Sequence, residues 1–156
     1  MDDAQVSIVN VDVERLREQF LNHEFDAKTF DVTAEAIIRF ARACGEGAAR
    51  YLQADHPNFQ APPTFPSSLM TNRQVPVDFP SLNALSMNGG KSMEFKRPVR
   101  PGKIVGRSHL NDIYEKTGRS GRMLFVVSRM EFFDEGGDLL TVSDSRQIFR
   151  EKPHEG

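Results

Sequence analysis

A chain of 156 residues, 38% hydrophobic and 27% charged, has the size of one domain and enough apolar side chains to bury a core without cross-links. No apolar run approaches the ~20 residues that span a bilayer, and a net charge of −2 gives no general attraction to nucleic acid. A single cysteine, Cys44, excludes an intramolecular disulfide; with an acidic start, MDDAQVSIVN, lacking the basic and apolar regions of a secretory signal, it predicts a reducing, cytoplasmic setting.

The first 24 residues read as a helical extension of one domain covering 1–156. Within VDVERLREQFLNHEF, Val13, Leu16 and Phe20 recur at helical spacing. A second helix follows, with Thr33 as N-cap, Glu35 in its first turn, and Ile37, Phe40, Ala41 and Cys44 as a buried stripe. Gly45 is its predicted stop. Helix resumes briefly between Gly47 and Leu52, and His56-Pro57-Asn58 reads as loop. Pro62 and Pro63 exclude a helix interior, but a short buried helix is predicted from about Thr64, with Pro66 in its first turn. Phe65, Leu69 and Met70 would then face the core.

The second half changes character. KIVGRSHLNDIYEK, RMLFVVSRMEFFD and LLTVSDSRQIFR read as three long strands, joined by the glycine-bearing turns TGRSG and EGGD. On the middle strand Leu124, Val126, Met130 and Phe132 share one face, and Met123, Phe125 and Val127 the other. A further strand, SMEFKRPV, ends at a turn around Pro101-Gly102. Helices followed by an antiparallel meander predict an α+β architecture.

Several segments together carry a resemblance: FARACGE (Phe40 to Glu46), APPTFP (Ala61 to Pro66), FKRPVRPGK (Phe95 to Lys103), the IYEKTGRSG hairpin, and a T-x-x-x-x-R pattern from Thr141 to Arg146. The sequence resembles the MaoC-like hydratase/dehydratase family, and within it the N-terminal-type domains such as the substrate-binding subunit of heterodimeric 3-hydroxyacyl-thioester dehydratases. The resemblance implies a single hot-dog domain, in which a central helix is wrapped by a curved antiparallel sheet. It also implies a reaction class, the reversible addition of water to a 2-enoyl thioester. That chemistry needs a group to move the Cα proton and amide donors to hold the developing enolate oxygen.

Catalytic members of the family have an aspartate followed five positions later by a histidine, which fall here on Glu46 and Tyr51. Glu46 keeps the carboxylate on a longer arm. Tyr51 replaces an imidazole by a phenol, a hydrogen-bond donor but a poor base at neutral pH. The amide that would face the enolate oxygen falls on Thr64. The resemblance therefore implies a chain that binds the acyl thioester with an incomplete dyad and pairs with a second hot-dog chain carrying the intact one. Phe65, Leu69 and Met70 would line the acyl tunnel.

Three alternatives stand beside this reading. Glu46 with His56 or Tyr51 could serve a self-sufficient homodimeric enoyl-CoA hydratase; the chain could be a regulatory module that binds acyl-CoA; or it could act like the thioesterases that share the fold. The cluster Lys91, Lys96, Arg97, Arg100 and Lys103 is either a solubilising strand edge or a seat for the phosphates of coenzyme A or for an acidic carrier protein; Arg97 and Arg100 are its substrate-binding candidates. Asp112, Glu115, Lys116, Arg119 and Arg122 read as an exposed hairpin with cross-strand charge pairs. His23, His56, His109 and His154 are scattered without ligand spacing, so no metal is expected. No cofactor is expected beyond the coenzyme A or acyl carrier protein that bears the substrate.

Overall fold

In the computed structural model, which describes residues 5–152, the chain starts with a two-residue strand, β1 (Val6–Ser7), and a 3-10 turn at Ile8–Asn10. Then come α1 (Val13–Phe20), β2 (Glu24–Val32), α2 (Ala34–Ala43), α3 (Ala49–Leu52) and a second 3-10 turn at Phe65–Ser68. β3 (Leu82–Asn83), β4 (Leu85–Phe95), β5 (Gly102–Gly118), β6 (Gly121–Phe133) and β7 (Leu139–Arg150) complete it. His154 lies outside the described residues. No helix among those described is long and apolar enough to cross a membrane.

Both longer helices begin on side-chain caps. Asp12 accepts from the Arg15 amide at 3.1 Å and Thr33 from the Ala36 amide at 3.1 Å, satisfying donors that the first turn leaves free. α2 ends in a Schellman motif: Gly45 has φ +74°, its amide bonds Arg42 O, and the Glu46 amide reaches back to Ala41 O at 2.9 Å. The motif turns Cys44 outward. It caps the helix instead of extending its stripe, and is exposed, so the buried position expected for it is corrected.

The sheet is antiparallel throughout, in the order β2-β5-β6-β7-β4. The three strands expected in the second half form its centre, and the two-residue turn between Gly118 and Gly121 is permitted by φ +90° at Gly121. β2 closes the β5 side. The expected strand SMEFKRPV begins earlier, at Leu85, and pairs with β7 as the opposite edge.

The expected helix from Thr64 onward is a single 3-10 turn, four residues long. Phe65 is buried, Leu69 is half-buried and Met70 is 59% exposed, so the inward position expected for Met70 is also corrected. The polar run TNRQ followed by Pro76 and Pro80 offers neither an apolar stripe nor free amides to continue a helix.

The inner face of the sheet, bearing Leu124, Val126, Met130 and Phe132, is packed at both ends. At one end Phe132 joins Ile37 of α2, Phe65, Ile104 and Leu140. At the other, Leu110, Ile113, Leu124 and Val126 pack against Ile8, Leu16 and Phe20. Arg122 ties that second cluster down: its guanidinium donates to Ile8 O at 2.8 Å, Val9 O at 3.1 Å and Val11 O at 2.9 Å, and pairs with Glu115. The hairpin charges are thus more than an exposed decoration.

Candidate functional site

Between the two packed ends the inner face is not filled. A cavity of about 420 Å³ lies there, within the range of small-molecule sites. Pairing registers set its floor. Ser108 stands opposite Met130, and Met130 opposite Ser143; Ser128 faces Ser145, and Ser145 faces Lys91; Val126 faces Gln147, and Gln147 faces Asn88. The inward positions of β7 from Thr141 to Gln147 (Thr141, Ser143, Ser145 and Gln147) are therefore all polar, whereas Phe149, opposite Leu124, joins the packed end. Small hydroxyl side chains leave the room that larger apolar ones would occupy.

The chain from Leu69 to Val75 crosses this floor as a strap. The Asp26 carboxylate of β2 accepts from the Asn72 and Arg73 amides at 2.8 and 3.0 Å. The Ser128 hydroxyl donates to Gln74 O at 2.6 Å, and Thr71 and Ser108 share a hydrogen bond of 3.3 Å. These contacts satisfy backbone groups that a helix would have paired internally. Leu69, Met70 and Val75 give the cavity its apolar wall. Gly106 lies under the packed end beside it, where an added Cβ would collide with the Met130 methyl and lie 3.1 Å from the Phe30 ring.

Of the residues singled out from sequence, Leu69 and Met70 line the cavity, and so does Lys91. Phe65 packs edge-on against Phe40, with ring centroids 5.4 Å apart. Thr64 is exposed at the start of the 3-10 turn. Glu46 is half-buried just past α2, Tyr51 is buried in α3 under the Arg50 guanidinium, and His56 Nδ1 accepts from the Asn58 amide at 3.1 Å within its own loop. None of these three borders the cavity. Among the described residues its wall contains no carboxylate, imidazole, thiol or phenol.

The two resembling segments APPTFP and FKRPVRPGK meet in space. The Ala61 amide donates to Val99 O at 2.8 Å, and Arg100 reaches Phe59 O at 3.4 Å. Arg97 pairs with Asp138 at 2.8 Å and Lys96 with Glu94. On the outer face Arg129 holds Asp144 through two 2.8 Å hydrogen bonds, which raise the guanidinium pKa above its ordinary value despite partial burial.

A family model for the FAS1-like dehydratase domain region matches residues 19–142. The chain belongs to that family. Solved structures agree on the fold. A MaoC-like dehydratase from Phytophthora capsici is 23% identical with TM-score 0.68, over 90% of this chain and 50% of that one; this chain thus spans half its length. The ChsH1-ChsH2 complex of Mycobacterium tuberculosis matches at 17% identity and TM-score 0.65, over 92% of both chains. The C-terminally truncated HadBC (3R-hydroxyacyl-ACP dehydratase) complex of the same organism matches at 20% identity and TM-score 0.60, over 82% of this chain and 99% of that one. No curated protein matches the sequence. This dehydratase-region chain has the hot-dog fold of the MaoC-like dehydratases.

The serines and Gln147 escaped the sequence reading although their signal was present. T-x-S-x-S-x-Q in Thr141 to Gln147 puts four polar residues on one face of a central strand, where burial ordinarily demands apolar ones.

Proposed function

We propose that this chain is the thioester-holding half of a two-chain MaoC-like hydratase/dehydratase. The acyl group lies in the cavity over β6 and β7, coenzyme A or an acyl carrier protein serves as its handle, and a second hot-dog chain supplies the acid/base pair. The observation that carries the reading is the make-up of the cavity wall: it offers shape and hydrogen bonds but, among the described residues, no carboxylate or imidazole. Hydration transfers a hydroxyl to Cβ and a proton to Cα, and each transfer requires a group within ~3 Å of the moving atom with a pKa suited to neutral pH.

The edge strand β4 supports a partner at that side. It contributes Met87, Asn88 and Lys91 to the cavity, its outer backbone edge has no strand beside it among the described residues, and Leu85, Met87 and Phe95 remain exposed on it. Unpaired edges with apolar side chains are where another sheet adds. HadBC and ChsH1-ChsH2 are both complexes, which favours the same arrangement here.

The test is hydration of crotonyl-CoA. The purified chain alone is expected to show no turnover, and activity is expected on adding a hot-dog chain with an intact aspartate–histidine pair. Turnover by the lone chain that falls by ~100-fold or more in Glu46→Gln would replace this reading with the self-sufficient hydratase.

A further inference from the structure

We infer that the acyl group received by this cavity is short and ends in a carboxylate, and that Lys91 with Ser145 and Gln147 receives that carboxylate. The inference rests on the thioester-holding role proposed above and specifies its substrate class.

A saturated chain laid over β6 and β7 would cover Ser128, Ser143, Ser145 and Gln147. Covering a hydroxyl or amide without giving it a partner costs about 1–3 kcal/mol on mutational scales. Ser128 already donates to Gln74 O, but Ser143, Ser145 and the second amide hydrogen of Gln147 oppose a hydrocarbon, and all three can donate to an oxyanion. The apolar contacts, from Leu69, Met70, Val75, Val126 and Met130 among others, come from the strap and the flanks of this polar floor.

The charge is placed accordingly. Register puts Lys91 opposite Ser145, in one row with Ser128. Its β4–β5 neighbours are already engaged, Lys96 with Glu94 and Arg97 with Asp138, whereas Lys91 has no ion pair among the described residues. Arg73 of the strap also borders the cavity, has no ion pair among the described residues and adds to its positive charge. Arg129 and Arg146 border it too, but strand alternation sends their side chains to the outer face, where Arg129 is held by Asp144. Gln147 also donates to the Ser86 hydroxyl at 2.6 Å, which fixes its amide over the floor. An ammonium beside hydroxyl and amide donors, with no carboxylate in the wall, is complementary to a bound carboxylate.

Calorimetric titration of the full chain with glutaryl-CoA, pentanoyl-CoA, octanoyl-CoA and free coenzyme A tests this. Glutaryl-CoA is expected to bind about tenfold more tightly than pentanoyl-CoA, as a charge-assisted hydrogen bond allows, with no gain for octanoyl-CoA. Lys91→Met is expected to weaken glutaryl-CoA binding far more than pentanoyl-CoA binding. Affinity that climbs from pentanoyl to octanoyl without a carboxylate preference would overturn the inference and leave the thioester role standing. So would equal weakening of all four ligands by Lys91→Met, which would seat the lysine on the coenzyme. If no thioester binds, the thioester role fails and the inference with it.

Discussion

The ends and the middle of one sheet face behave as different materials. At the ends, Phe132 and Leu124 sit at 1% exposure against helix and turn residues. In the middle, the same three strands present serines and a glutamine to an open cavity. The sheet is thus clamped twice and can leave its centre unfilled. The void is matched by side chains too small to fill it and polar enough to tolerate water, so it is a built feature and not a packing fault. Phe132→Ala attacks a clamp directly. Its loss of ring contacts and the cavity left behind are expected to cost about 3–5 kcal/mol, read as a drop in urea midpoint with unchanged slope. A cost below about 1 kcal/mol would mean that the end is no better packed than the middle.

The two clamps differ in how they are attached. The α2 end is held chiefly by apolar contact, with Ile37 fully buried and a backbone hydrogen bond from Ala61 to Val99 O across the cluster. The other end adds two charged ties: Arg122 bonds the carbonyls of Ile8, Val9 and Val11, and Arg17 of α1 bonds Asp112 and the Ile113 carbonyl of β5. Hydrogen bonds to a charged donor contribute about 1.5–3 kcal/mol, so Arg122→Met is expected to destabilise by that amount. Hydrogen exchange sharpens the point: amides of Ile8 to Phe20 should lose protection while those around Phe132 keep theirs. Uniform loss would show that the ends open together.

What could be read from sequence follows the same division. The meander was legible because Leu124, Val126, Met130 and Phe132 alternate strictly and glycines mark its turns. β2 was not, because Phe25 and Ala27 have one parity, Phe30 and Val32 the other, and charges stand between them, with a register shift between Glu24 and Asp26. The stretch after Ser68 invited a helix through Phe65, Leu69 and Met70, but its polar run and two later prolines were the stronger signal. At the site, Leu69 and Met70 were found through apolar spacing and family position. Ser143 and Ser145 were passed over because alternation tells which residues share a face, while only the partner strands reveal that the polar face of β7 points inward.

The smallest expected change in stability tests the middle itself. Ser145→Leu adds bulk where the cavity has space, beside Val126 and Met130. Overpacking penalties arise when new atoms displace packed ones, and here they would displace solvent. Unfolding free energy should therefore change by less than about 1 kcal/mol, whereas calorimetric binding of the tightest thioester should be lost. The combination matters more than either value. A leucine that destabilised by several kcal/mol would mean that the floor is as tightly packed as the clamps, whereas one that left binding intact would place the acyl group elsewhere on the molecule.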